Sequence, residues 1–224
     1  MVSQLGALQT LDAPVHGVHV LMISYETSAL LMIDMQNGFI DPSSSLCVAG
    51  AQATIPACAH ALATARSHGM AIYHVRRAYA FDGSDVEPVR RRIWLAGGRP
   101  LCREGSDPRS VEAPGELAPH EGECIVHKPR FSAFFDTQLD VMLRERNINT
   151  IVLIGTTTPN CIRTSCYDAL SLGYNVVVLE DATSSRTPAV QKANIDDMAY
   201  IGTTIMSCDE FAAGALLQVE DLTD

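Results

Sequence analysis

Six short runs of apolar and β-branched residues recur along this chain, each too short for a helix and most separated from the next by a stretch of helical period. They are Ala29–Ile33, Met70–Val75, Cys124–His127, Ile151–Ile154, Tyr174–Leu179 and Thr203–Met206. Between them, Ile55, Ala59, Leu62 and Ala65 share one face of a helix over 53–68. Phe135, Leu139, Met142 and Leu143 do the same over about 134–146, and Ile162, Cys166, Ala169 and Leu172 after Pro159. Thr158-Pro159 and Thr187-Pro188 read as an N-cap followed by the first helical residue, and Ser207 with Glu210 as a capping box. Apolar strands alternating with helices predict an α/β fold: three layers, α/β/α, around a six-stranded, mostly parallel sheet in the order 3-2-1-4-5-6.

Residues 1–26 show no period and are read as an N-terminal extension, 27–217 as the folded domain, and 218–224 as a C-terminal tail. Within the domain, 77–120 breaks the alternation with Gly, Pro, Asp and Arg and holds the single tryptophan, Trp94; it is expected to be a lid or a subunit contact. A net charge of −10 argues against nucleic acid as a partner, and the one basic run, Arg90-Arg91-Arg92, reads as a solvated or interface face. Seven cysteines without a CxxC pair fit a reducing compartment. No apolar run approaches the roughly 20 residues of a membrane span, and no signal peptide is seen. A cytoplasmic location without membrane contact is therefore expected.

In sheets of this kind ligands bind beyond the carboxyl ends of the strands, where the strand order reverses. Three polar residues stand at such ends: Asp34 after the first strand, Lys128 after the third and Cys161 after the fourth. With the first and fourth strands adjacent, Asp34 lies beside Cys161. Lys128 starts two strands from Asp34 and must be brought back by its long side chain and the local turn. Cys161 falls in the first turn of a helix, where unpaired N–H groups and the dipole favour the thiolate. A carboxylate, an ammonium and a thiol suit acyl transfer: the carboxylate takes and returns a proton, the cation steadies the sulfur anion, and N–H groups of Cys161 and the turn before it bind an oxyanion. Taken singly, such an aspartate is as readily a cap, and such a cysteine a buried, inert one.

The stretches LLMIDMQNGF, VHKPRFSAFFDTQL and IVLIGTTTPNCIRTSCYDALSLGYNVVVLEDAT resemble, in order and spacing, the isochorismatase-like cysteine hydrolases, a group that includes nicotinamidases and N-carbamoylsarcosine amidase. The resemblance spans about 28–212. It implies a catalytic Asp34–Lys128–Cys161 triad, a non-proline cis peptide at Thr156-Thr157, and an oxyanion hole made by the N–H groups of Thr157 and Cys161. It also implies a homo-oligomer, dimer or tetramer. Metal-binding nicotinamidases carry Asp-x-His after the second strand; that place reads YHVRRAYAFDG here, and His74 reads as a packed strand residue. No catalytic metal and no cofactor are therefore expected, and nicotinamide is disfavoured as a substrate. Isochorismatases proper lack the cysteine, so Cys161 argues for cleavage of a small linear amide or carbamoyl C–N bond through a thioester. Phe39, Arg76, Arg77, Tyr79, Trp94 and Phe134 are the candidate substrate contacts, and the two arginines hint at an anionic group. The competing readings are a hydrolase of another small metabolite, a non-catalytic scaffolding member, and a redox-sensing Cys161, for which Cys166 is poorly placed to resolve.

Overall fold

The computed structural model of the protein describes residues 18–22, 24–214 and 216–220; positions 1–17 and 23 of the expected extension and 221–224 of the expected tail lie outside the described residues. Its main sheet contains β2 (Ser28–Ile33), β3 (Ala71–Arg76), β4 (Cys124–His127), β5 (Thr150–Thr156), β6 (Asn175–Ser184) and β7 (Thr204–Met206). The strands lie in the order β4-β3-β2-β5-β6-β7 and every pairing is parallel. Numbered within this sheet, that is the expected 3-2-1-4-5-6. The crossover thus falls between β2 and β5, the strands that end at Asp34 and lead into Cys161.

Alternation along the strands sorts the core into two layers. Leu30, Met32, Val152 and Ile154 face one way and pack on α2 (Ile55–Ser67) and α7 (Cys208–Ala212) through Leu62, Ala65 and Phe211. Ala29, Leu31, Ile33, Ile151 and Leu153 face the other way. They meet α4 (Leu139–Glu145), α5 (Arg163–Ser171) and α6 (Pro188–Tyr200) through Leu143, Cys166 and Met198. Covered on both faces, β2 and β5 are buried along their whole length, which is why they read as unbroken apolar runs.

Local signals explain most of the element ends. Ser207 and Glu210 form the reciprocal capping box at α7, and Thr187 accepts from the Val190 N–H at α6. The helix expected over 134–146 is shorter, because Asp136 has φ 54°, a left-handed conformation that a right-handed helix cannot pass through. Gly155 is required by its surroundings: its φ is 113°, and a Cβ there would lie 2.1 Å from the Ile33 carbonyl oxygen. His74 is buried in β3 and lies 2.7 Å from Glu123, which Arg66 also grips.

Segment 77–120 is more ordered than its composition suggests. It contains α3 (Pro88–Ala96) and a small core of its own, in which Tyr79, Val86, Trp94, Leu101 and Cys102 pack on Phe39. Outside the main sheet, β1 (Val18–Met22) pairs antiparallel with β8 (Leu216–Glu220). Part of the expected extension and part of the expected tail therefore form one two-stranded ribbon. Among the described residues no helix is long and apolar enough to cross a membrane.

Candidate active site

The carboxyl end of β3 organises the site through three successive residues. The Val75 carbonyl accepts the Asp34 N–H at 2.9 Å, and the Arg76 carbonyl accepts the Lys128 N–H at 2.9 Å. The backbone of Arg77 is held from both sides by the Gln36 side chain: Arg77 N–H donates to Gln36 Oε1 and Gln36 Nε2 donates to the Arg77 carbonyl, each at 2.8 Å. Parallel register places His127 opposite Arg76, so Lys128 emerges one step beyond the ladder. Asp34 leaves β2 in a left-handed conformation, φ 54°.

These anchors bring together the three residues singled out from the sequence. Lys128 Nζ donates to Asp34 Oδ2 at 2.8 Å, to the Arg130 carbonyl at 3.0 Å and to Cys161 Sγ at 3.5 Å. Asp34 and Lys128 are each 1% exposed, and Asp34 Oδ1 has no hydrogen-bond partner. A buried carboxylate oxygen without a donor is costly unless something else uses it.

Cys161 lies in a single π turn, Thr158–Ile162, that opens into α5. The Ile162 N–H reaches back five residues to the Thr157 carbonyl. The Thr156–Thr157 peptide just before this turn is cis. Thr158 does not cap the turn through its side chain; its hydroxyl donates to the Ser184 carbonyl at 3.0 Å and ties the turn to the end of β6. On the other side Ser165 Oγ donates to the Cys161 carbonyl at 2.6 Å and accepts the Ala133 N–H, which fixes the Lys128 loop against α5.

The expected thiolate is not the resting form of Cys161. Burial pushes the thiol up to about 11, with the Asp34 charge adding to the rise and Lys128 and Arg77 opposing it. A short π turn supplies too little dipole to offset desolvation. The proton therefore stays on sulfur until a base takes it.

Asp34, Cys161, Thr156 and Thr157 form the floor of a cavity of about 330 Å³. Phe39, Leu46, Val48 and Phe131 give it apolar walls, and Arg90, Asn160 and Arg186 bring polar groups. Of the substrate contacts expected from sequence, Phe39 lines the cavity. Arg76, Arg77, Tyr79, Trp94 and Phe134 do not. Trp94 is wholly buried and donates to the Pro100 carbonyl, and Phe134 stacks on Tyr174. Arg77 is buried and pairs with Glu87 and Tyr79 instead. The cavity's arginines are Arg90 and Arg186, and the arginine ion pairs among the described residues involve Arg66, Arg77, Arg109, Arg144 and Arg163 instead. Arg90 thus departs from the solvated or interface face expected of its basic run, while Arg91 and Arg92 stay exposed. Its sequence signal is the helical period of α3, which turns Arg90 away from its two neighbours. Arg186, beside the α6 N-cap, carries no such signal. Among the described residues no three His, Cys, Asp or Glu side chains group as a metal site.

The isochorismatase domain model matches residues 28–210. A probable inactive nicotinamidase of Arabidopsis thaliana is 35% identical over 190 residues, covering 84% of this chain and 96% of its own. The ureidoacrylate amidohydrolase RutB of Azorhizobium caulinodans is 32% identical over 195 residues, covering 78% and 84%. Among solved structures, an isochorismatase family protein from Desulfovibrio vulgaris superposes with a TM-score of 0.79 at 43% identity, covering 84% of this chain and 97% of that one. N-carbamoylsarcosine amidase from Thermoplasma acidophilum does so with 0.68 at 30% identity, covering 82% and 98%. By the extent of these matches, and by a sheet whose crossover lies at the cavity, the chain belongs to the isochorismatase family of hydrolases.

Proposed function

We propose that this enzyme is an amidohydrolase that cleaves a small linear amide or carbamoyl compound bearing a carboxylate, through a thioester on Cys161. The observation that carries this reading is the meeting of Asp34, Lys128 and Cys161 at the floor of one cavity. As sulfur attacks the carbonyl carbon, the thiol proton passes to Asp34, whose Oδ1 has no other partner. A C–S bond forms and the carbonyl electrons move to oxygen, where the N–H groups of Thr157 and Cys161 receive them. Asp34 then gives its proton to the nitrogen, the C–N bond breaks, and ammonia or an amine leaves. A water follows: its proton goes to Asp34, its oxygen attacks the thioester, and as the C–S bond breaks Asp34 passes that proton to sulfur, leaving the acid product and the thiol. Lys128 holds Asp34 in line throughout.

The cavity wall supports this substrate class. Two arginines that form no ion pair among the described residues suit an anion in a protein that is otherwise acidic, and the planar fork of a guanidinium matches a carboxylate. A ureidoacrylate amidohydrolase and an N-carbamoylsarcosine amidase among the relatives support a carbamoyl acid. The family also contains a protein called a probable inactive nicotinamidase, so the competing reading is a member that binds without turnover.

The deciding experiment is ammonia release from a panel of amides and ureido acids by the wild-type protein and by Cys161→Ala. Turnover by the wild type and its loss in a folded variant is the expected result. Equal rates for the two proteins, or no turnover across the panel, would remove the assignment.

A further inference from the structure

Arg77 is a fully buried charge that the cavity never touches: it is 0% exposed. Its Nη1 donates to Glu87 Oε1 at 2.5 Å and to the Tyr79 hydroxyl at 2.7 Å, and Tyr79 donates to Glu87 Oε2 at 2.9 Å. Its Nε and Nη2 have no acceptor. Its Cζ lies 5.2 Å from the centre of the Phe131 ring, and the Arg90 Cζ lies 4.8 Å from the same ring centre. A buried guanidinium with two unanswered donors is an expensive object, and a folding staple would not need its charge.

We infer that Arg77 is a positioning residue for the reaction: packed on the cavity-wall ring of Phe131 and tied through Gln36 to the backbone beside Asp34, its buried charge sets the field in which Cys161 reacts. The charged and titratable groups around it are Asp34 at the end of β2, Tyr79 and Glu87 after β3, Arg90 on α3 and Cys161 beyond β5. Lys128 reaches Asp34 from β4. Burial works against the Arg77 charge, yet Asp34, Tyr79 and Cys161 together hold its pKa above the ordinary arginine value. The coupling is mutual, and Arg77 favours loss of the Cys161 proton. Glu87 spends part of that field, so the segment carrying α3 sets how much of it reaches the sulfur. Gln36 makes the geometry rigid, since it joins the backbone two residues after Asp34 to the backbone of Arg77.

The kinetic part of this inference rests on the amidohydrolase reading; the thiol titration does not. The test is iodoacetamide labelling of the Cys161 peptide at about pH 8, where the rate follows the thiolate fraction. Glu87→Gln leaves the Arg77 charge unshared and should label faster. The double variant Arg77→Met, Glu87→Gln removes both charges without stranding either. It should label about tenfold more slowly, as a thiol holding its proton about tenfold more tightly must. Its kcat should fall by a similar factor with KM little changed. Unchanged labelling in both folded variants, or slower labelling in Glu87→Gln, overturns the inference. Should the double variant not fold, the direction of the Glu87→Gln change alone decides. Altered labelling with no amide turned over upholds the electrostatic role and sinks the amidohydrolase reading. Amide turnover with unaltered labelling does the reverse.

Discussion

Lys128 and Asp34 follow strands that are not neighbours, yet Lys128 Nζ donates to Asp34 Oδ2 at 2.8 Å. The strand between them, β3, closes the gap by accepting one backbone N–H from each side, at Val75 for Asp34 and at Arg76 for Lys128. A long side chain alone would not bridge two strand spacings of nearly 5 Å each; the turn after β4 supplies the rest.

The Asp34–Cys161 relationship gives a prediction with opposite signs for two measurements. Burial first, and the Asp34 charge second, hold the Cys161 thiol up at about 11. Asp34→Asn removes the charge and lowers the thiol pKa, so at neutral pH the thiolate fraction rises. Labelling of Cys161 should then speed up by about tenfold, while turnover falls roughly a thousandfold for want of a base. Unchanged labelling in this variant would show that the Asp34 charge does not bear on the sulfur, and slower labelling would reverse the sign of its effect.

Arg90 and Arg186 give a prediction about substrate choice. Succinamate and pentanamide have similar lengths and differ in a terminal carboxylate. The wild-type enzyme should prefer the acid, and Arg90→Gln or Arg186→Gln should each raise KM for succinamate by about tenfold, the worth of one charged hydrogen bond. A preference for succinamate that survives both substitutions would move the anion site elsewhere.

Acid stability should depend on Glu123. Burial raises its pKa, but Arg66, the His120 N–H and His74 outweigh burial and hold the carboxyl down to about 2. A group depressed on folding contributes stability above its ordinary value near 4.5, and that contribution is lost as pH falls toward 2. The urea midpoint of the wild type should therefore drop across this window, and Glu123→Gln should flatten the drop. Parallel curves for the two proteins would refute the assignment.

The architecture is legible in the sequence because its cause is local. Apolar runs such as Ile151–Ile154 and helix faces such as Ile55–Leu62 carry their period in the chain itself. Asp34 and Cys161 are legible because adjacent strand ends in a parallel sheet converge by topology, whereas Lys128, two strands from Asp34, is brought in by the turn after β4. The cavity walls are not, because they come from loops whose placement depends on contacts with distant segments. Trp94 reads as a pocket residue from composition but is consumed by the small core under α3. Arg186 enters the cavity from the turn before α6, and nothing in its neighbourhood announces this. The resting state of Cys161 escapes the sequence for a related reason: a helix start is visible there, whereas the burial that outweighs it is not.

Gly155 has a last bearing on the chemistry. Ile33, whose carbonyl crowds the place where a Cβ would sit, directly precedes the proposed acid, and Gly155 opens the GTTTPNC stretch that ends in the proposed nucleophile. The gap between the two partners is thus gauged by backbone against backbone, with one hydrogen atom as the spacer. Residues farther out can change to suit new substrates while that gauge keeps the working distance constant.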